Sequence, residues 1–140
     1  MIFYCTEQFK REYEKLIKKK SYRQNLPKVI IKEMFNSTIE QLNARGRKLN
    51  LGTREVDFLK IRLGGSSGYR CYYLMVLNGD KVYLGFIHPK SGTYGAPNIT
   101  AAAEGDIFQD IQNAAINKDF YLVTPGENEL NFSHRSDEEE

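Results

Sequence analysis

The sequence contains few of the residues that build disulfide frameworks or metal sites. Its 140 residues include two cysteines, two histidines, four prolines and no tryptophan. Cys5 and Cys71 are far apart and form no C-x-x-C motif, and the histidines form no H-E-x-x-H motif. We therefore expect no disulfide scaffold, no metal site and no bound cofactor.

Long hydrophobic runs are also absent. No apolar stretch approaches the ~18 residues that a membrane span needs. The first 16 residues (MIFYCTEQFKREYEKL) carry a charge every few positions, where a signal peptide would be uninterrupted and apolar. Together with the presence of only two cysteines, this pattern predicts a cytoplasmic protein that has no membrane partner.

The composition is that of a globular domain, but its charge is unevenly distributed. Residues 1–70 hold 16 Lys and Arg against 7 Asp and Glu, whereas residues 71–140 hold 4 against 11. Either the basic part faces an anion such as nucleic acid, or it only keeps the protein soluble. We expect one domain over residues 1–133 and an acidic, mobile tail over residues 134–140, which alternatively competes for the basic surface.

Helical periodicity marks the first third of the chain. Residues 1–5 are short and apolar, which suits a strand, and Thr6 stands at the N-cap position of a helix. Pro27 predicts the start of a second helix over residues 27–44, which Gly46 ends. We expect these helices to form a hairpin with a basic outer face. Their predicted inward residues are Phe9, Tyr13, Leu16, Ile17, Val29, Ile30, Met34, Phe35, Ile39 and Leu42.

After Gly52 the pattern becomes extended. Val56–Leu63, residues 69–77 and residues 81–88 are rich in β-branched and aromatic side chains, and an Asn-Gly-Asp turn separates the last two. A third helix is predicted around residues 107–115, followed by short strands or an extended wrap. The predicted fold class is α+β: an N-terminal strand and helical hairpin packed on a small antiparallel sheet, with a C-terminal helix.

Basic residues alternate with apolar ones along these predicted strands. Residues two apart in a strand share a face, so Lys60 and Arg62 point the same way. Arg70 opens the next strand, and His88 and Lys90 close the third. One sheet face can thus collect several cations and an imidazole, which favours a phosphodiester ligand. An ordinary solvent-exposed face is the alternative.

These strands resemble those of the RelE/ParE superfamily of toxin–antitoxin toxins. The resemblance is carried by residues 58–63 (FLKIRL), 68–73 (GYRCYY), 81–84 (KVYL) and 87–90 (IHPK). Superfamily members have the order strand, two helices, three strands and final helix, which matches the order predicted for residues 1–118. The resemblance implies a RelE-like fold.

RelE-like members cleave messenger RNA, usually on the ribosome, by directing a ribose 2′-hydroxyl at the adjacent phosphate. The resemblance therefore implies an endoribonuclease that inhibits translation, uses no metal and is neutralised by a cognate antitoxin. It matches Lys60 and Arg62 to the proton acceptor or phosphorane-stabilising cations, and Arg70 to the arginine that holds the scissile phosphate. Lys90 and Tyr94 match a further basic residue and an aromatic residue that contacts a nucleotide.

His88 and Tyr72 are two further candidate site residues, and His88 is an alternative to Lys60 as the base. A lysine acts as a base only when burial and neighbouring cations lower its pKa from ~10.4. His88 is the alternative acid or base, because its ordinary pKa near 6.5 suits proton transfer at neutral pH, although a structural role is also open. Tyr72 shares the face of Arg70, so it either stacks on an RNA base or fills the core.

Two other functions stay open at this point. A ParE-like toxin poisons a protein partner such as DNA gyrase, and a third possibility is a non-catalytic RNA-binding domain. ParE-like members of that kind lack the cationic cluster, so Lys60, Arg62 and Arg70 argue against the former. Resemblance in fold does not separate these functions.

Overall fold

The computed structural model describes residues 1–49, 51, 56–65, 68–76, 78–91 and 99–134. Within these residues, seven strands form one mixed sheet in the order β2-β3-β4-β5-β1-β6-β7, and helices pack on both of its faces. The fold is therefore α+β. The strands are β1 (Ile2–Cys5), β2 (Arg47–Lys48), β3 (Val56–Leu63), β4 (Tyr69–Val76), β5 (Lys81–Pro89), β6 (Tyr121–Pro125) and β7 (Leu130–His134).

The antiparallel meander predicted for the middle of the chain is confirmed by β3, β4 and β5. The sheet is larger than predicted, and it is not purely antiparallel. Phe3 of β1 pairs in parallel with Val82 of β5 and antiparallel with Val123 of β6. Strand periodicity reports which face a side chain occupies but not the direction of its neighbour, so the sequence did not reveal the parallel pair.

The C-terminal part of the chain adds a hairpin to this sheet. Strands β6 and β7 pair antiparallel, which confirms short strands rather than a loose wrap. His134, the first residue of the expected tail, ends β7, and its Nε2 lies 3.2 Å from Asp119 Oδ1. The remaining tail, residues 135–140, lies outside the described residues.

Helix boundaries follow from their caps. The helices are α1 (Glu7–Ile17), α2 (Lys20–Arg23), α3 (Leu26–Ile30), α4 (Ile39–Arg45) and α5 (Ala101–Asn117). Thr6 Oγ1 accepts a hydrogen bond from Phe9 N at 3.1 Å, which confirms the predicted N-cap. None of the helices in the described part of the chain is long and apolar enough to cross a membrane.

The prediction of one continuous helix over residues 27–44 is wrong. Helix α3 runs directly into a π-helical turn (Ile31–Phe35). The helical conformation ends there, and α4 begins at Ile39. Thr38 Oγ1 accepts from Gln41 N at 3.1 Å, and Gln41 Oε1 accepts from Thr38 N at 2.8 Å. This capping box starts a new helix at a place where hydrophobic periodicity continues unbroken.

The two faces of the sheet carry different cores. On one face, α1, α3 and α4 bury Leu59, Ile61 and Leu63 completely, as alternation along β3 predicted. On the other face, Ile107 and Ile111 of α5 pack in a second core. The strand residues of that core are Phe58, Tyr72, Leu74 and Tyr83.

A bulge in β5 determines which residues reach the α5 face. Tyr72 pairs with Phe86 but Tyr73 pairs with Leu84, so Gly85 has no partner in the ladder. A side chain at Gly85 would collide with Ile111, so only glycine lets α5 approach this closely. Beyond the bulge, the even-numbered residues Phe86 and His88 share the face of Tyr72.

Candidate functional site

Cross-strand register brings the predicted basic residues together on the α5 face. Arg62 of β3 lies opposite Arg70 of β4, which in turn lies opposite His88 of β5. Lys60 lies opposite Tyr72, two residues along the same strands. Directly paired residues have Cβ atoms only ~5 Å apart, so the two arginines and the imidazole form one row.

Basic side chains line a depression of about 480 Å³ beside this row, which we call the cationic depression. Six of its seven described lining residues are Lys or Arg, and none is Asp or Glu. Because like charges repel, such a cluster is favourable chiefly when an anion is bound. The lining residues are Arg45, Arg47, Lys60, Ile61, Arg62, Arg70 and Lys90.

Lys60 has the strongest signs of chemical activation in this cluster. Its Nζ lies 5.8 Å from the centroid of the Tyr72 ring, a cation–π contact. Burial lowers the pKa of Lys60 below its ordinary value, and Arg47, Arg70 and Lys90 lower it further, while Glu104 opposes them. Only the neutral amine accepts a proton, and a lowered pKa increases the share of that form at any given pH.

Arg70 is buried, and one of its guanidinium nitrogens donates to its neighbour's backbone. Nη1 lies 3.0 Å from Tyr69 O, which holds the side chain against its own strand. Burial and then Arg62 lower the pKa of Arg70, but an arginine remains charged under these conditions. Arg70 is therefore a fixed positive charge suited to holding a phosphate rather than to moving a proton.

His88 lies beside the cationic depression but is not among its lining residues. Its Nδ1 is 2.8 Å from Pro89 O, and since a carbonyl only accepts, Nδ1 carries the proton. Nε2 is buried and has no hydrogen-bond partner among the described residues. Burial lowers the pKa of His88, the hydrogen bond to Pro89 O opposes this, and Arg70, Lys60 and Lys90 lower the pKa further, which favours the neutral ring at pH 7.

Tyr72 supports the site from inside the core. Its ring is 1% exposed and packs against Phe58, Phe86 and His88. Because neither ring face is open, stacking on an RNA base does not fit this conformation, and the role we assign to Tyr72 is to support Lys60. Burial raises the pKa of the Tyr72 hydroxyl to about 12, so it stays protonated.

Lys90 and Tyr94 were predicted to contact RNA. Lys90 lines the cationic depression, and its backbone N donates to Gly68 O at 2.8 Å, which ties the end of β5 to the loop before β4. Tyr94 lies outside the described residues.

Arg45 and Arg47 are site residues that sequence reasoning missed. Arg45 is the last residue of α4, and Arg47 pairs with Lys60 through β2. Gly46 between them allows a close approach, because a side chain there would collide with the Tyr73 hydroxyl, which donates to Leu42 O at 2.9 Å. The Arg-Gly-Arg-Lys run at a predicted helix end was the available signal.

Glu33 reaches this region from the π-helical turn. Its Oε1 lies 3.4 Å from Arg45 Nη2, and its Oε2 accepts from Gly64 N at 3.1 Å. Glu33 therefore connects α4 to the loop that follows β3.

The other chemistry-bearing groups are less suited to a reaction. Cys5 and Cys71 are buried, and burial raises the pKa of both thiols, so neither is a reactive nucleophile. Among the described residues, no group of three or more His, Cys, Asp or Glu side chains could hold a metal ion. A groove of about 430 Å³ beside α4 contains Asp57, but Lys48 and Asn43 already contact that carboxylate at 3.7 and 3.0 Å.

Comparison of the chain with protein-family models, with curated proteins and with solved structures finds no match. Inference about function therefore depends on the geometry and charge of the site.

Proposed function

We propose that this chain is a metal-independent endoribonuclease of the RelE/ParE type, with a RelE-like fold, that inhibits translation by cleaving messenger RNA. The observation that carries the proposal is the position of Lys60, whose pKa is lowered, inside a depression lined by five other basic side chains. The chain order β1, helical segments, β3 to β5 and α5 supports the assignment of fold.

In the proposed reaction, Lys60 Nζ accepts the proton of a ribose 2′-hydroxyl. The O2′ atom then forms a bond to the adjacent phosphorus, and the bond from phosphorus to O5′ breaks. The products are a 2′,3′-cyclic phosphate and a 5′-hydroxyl, whose proton comes from lysinium or water. Negative charge grows on the phosphate oxygens during this step, and the preorganised cations Arg62 and Arg70 stabilise it.

His88 is a second candidate proton acceptor. Its neutral ring has a lone pair on Nε2 that no described residue uses. The same atom is buried and outside the lining of the depression, so Lys60 is the better placed base. In this assignment, His88 also packs against Tyr72, the ring that supports Lys60.

The proposed partners follow from the same surface. Messenger RNA, bound at the ribosome, supplies the phosphates that the cationic depression accepts. A cognate antitoxin that inserts acidic side chains into this depression would neutralise the enzyme by competing with RNA. Both partners require the positive charge of the lining residues.

The first test is cleavage of a short RNA by the purified chain in the presence of a metal chelator, with and without ribosomes. We expect cyclic-phosphate and 5′-hydroxyl ends, and no cleavage of a substrate with 2′-deoxyribose at the scissile position. Lys60→Met keeps the aliphatic stem over Tyr72 but removes the amine, so cleavage should be lost. Arg11→Ala is the matched control, because Arg11 is 73% exposed on α1 and pairs with Glu7.

The second test is induction of the same variants in a bacterial host, with growth and messenger RNA ends measured. Growth arrest with new RNA ends that Lys60→Met lacks supports the proposal. Arrest without new RNA ends would instead support the ParE-like function. RNA binding without cleavage, in both the presence and the absence of ribosomes, would support a non-catalytic binding domain.

A further inference from the structure

A second depression, of about 380 Å³, lies beside the cationic depression at the same end of the sheet. Tyr22 and Asn25 line it from the helical connection, and Tyr69, Pro89 and Ser91 line it from the ends of β4 and β5. We call it the Tyr22–Tyr69 depression.

The two depressions share a wall. Tyr69 lines one and its neighbour Arg70 lines the other, because successive residues of a strand point to opposite faces. Lys90 likewise lines the cationic depression, while Pro89 and Ser91 line the second. The hydrogen bond from Lys90 N to Gly68 O joins the two segments of this wall. The two depressions therefore lie on opposite faces of the sheet, and a ligand reaches both of them by passing over the ends of β4 and β5.

The Tyr22–Tyr69 depression suits a planar ring with polar edges. The rings of Tyr22 and Tyr69 meet edge to face, with centroids 6.0 Å apart. Gly64 and Gly68 add bare backbone to the lining, and Gly64 needs its glycine because its φ is +71°. Flat aromatic and backbone surfaces of this kind accept nucleobases in single-stranded RNA.

Asn25 supplies a carboxamide that caps no helix in the described part of the chain. It occupies the N-cap position of α3, where an asparagine normally bonds to the helix, but its side chain makes no capping hydrogen bond. Asn25 is exposed and lines the depression. A carboxamide can donate to and accept from the edge of a base.

The helical connection next to this depression is strongly positive. Residues 15–32 include seven Lys and Arg and no Asp or Glu. Lys19 Nζ lies 5.7 Å from the centroid of the Tyr22 ring. This charge favours a ligand with phosphates on either side of the ring.

We propose that the Tyr22–Tyr69 depression binds the base of a nucleotide next to the phosphate held in the cationic depression. The proposal rests on the proposed function, because it takes single-stranded RNA as the ligand. The RNA strand passes over the ends of β4 and β5, with its phosphates on Arg62, Arg70 and Lys90 and one base between Tyr22 and Asn25. Base preference would then depend on Asn25.

The test measures fluorescence anisotropy of a labelled five-nucleotide RNA and of five versions that each lack one base. For the unmodified protein, removal of one particular base should lower affinity about 10-fold, since base–aromatic stacking contributes ~1–3 kcal/mol per base. Asn25→Ala and Tyr22→Leu should weaken binding of the complete RNA and leave binding of that abasic RNA unchanged. Asn25→Ala keeps the fold intact because the side chain caps no helix.

Arg62→Glu should weaken binding of all six RNAs equally, and Arg11→Ala should change none of them. If the complete RNA and the abasic RNA still differ in affinity for Asn25→Ala by as much as for the unmodified protein, the proposed base subsite is wrong. This holds even if the RNA binds and is cleaved. If every abasic RNA binds as tightly as the complete one, the subsite is likewise wrong. If none of the RNAs binds, the proposed function fails, and the subsite fails with it.

Discussion

Helix α5 separates two regions of opposite charge. Near its N-terminal end, Glu104 interacts with Lys60 of the cationic depression. Near its C-terminal end, Asp110 and Asp119 join Glu7 around a cleft of about 120 Å³, which we call the acidic cleft. Five of the six basic lining residues of the cationic depression come from residues 1–70, and two of these three acidic residues come from residues 71–140, so the two surfaces follow the charge difference between the halves only in part.

The two regions differ in the mixture of charges around them. In the acidic cleft, Glu7 pairs with Arg11 at 3.3 Å, and Asp119 pairs with His134 at 3.2 Å. Glu33 pairs with Arg45 in the cationic depression, but six of the described lining residues are basic and none is acidic. Such an excess of one charge around a depression favours an anionic ligand.

Reversing one charge in the cationic depression should have the largest effect, a loss of RNA affinity. Arg62 is exposed, so Arg62→Glu should leave the fold intact and lower RNA affinity about 100-fold at moderate salt, because a phosphate contact becomes a repulsion. Binding measured over a range of salt concentrations should also give a shallower salt dependence. Unchanged affinity would place the RNA on another surface.

Gly85 lies beneath α5, the helix between the two regions, and its substitution should destabilise the packing of that helix. Its carbonyl accepts from Thr6 Oγ1 at 3.3 Å beside the acidic cleft, and α5 packs directly on its backbone. Gly85→Ala should lower the free energy of unfolding by about 1–3 kcal/mol, because the added side chain collides with Ile111, which is fully buried. Urea denaturation measures this loss; Gly105→Ala is the control, since a side chain there meets no atom within 4 Å.

The pH dependence of cleavage should respond in opposite directions to two neutralising substitutions. Arg47 lowers the pKa of Lys60 and Glu104 raises it. Cleavage that needs the neutral amine rises with pH up to the pKa of Lys60. Arg47→Gln should therefore move the rising limb to higher pH, and Glu104→Gln should move it to lower pH. Shifts in the same direction would identify a different base.

The smallest expected effect is at the acidic cleft. Burial raises the pKa of Asp110 above 3.8, so the folded state holds its proton more tightly than the unfolded state. Ionised Asp110 therefore costs stability, and this cost appears as pH rises through the folded-state pKa. Asp110→Asn should stabilise the protein by less than ~1 kcal/mol at pH 7 and by nothing below pH ~3.5. Urea denaturation at both pH values measures the difference, and a loss of stability at pH 7 would contradict it.

Local signals predicted much of this fold. The Thr6 cap, the three central strands and the shared face of Lys60 and Arg62 depend on neighbouring residues, so the sequence reveals them directly. The prediction missed the interruption before α4, although Thr38 and Gln41 form a recognisable capping box. The reason is that hydrophobic residues continue at helical spacing across the interruption. Strand β2 has only two residues, which is too short for an alternation of apolar and polar side chains to be recognised. The prediction therefore missed this strand and Arg47 in it.

By itself, the sequence determined which residues share a face within an uninterrupted strand or helix and where most elements begin, because these depend on contacts a few residues apart. Only the tertiary structure decided that Arg62, Arg70 and His88 form one row, since strand register and the Gly85 bulge depend on packing between distant segments. The same packing buried Tyr72 beneath Lys60 and brought Arg45 and Arg47 into the depression. The basic residues were evident in the sequence, but their arrangement around one anion-sized space results from long-range contacts.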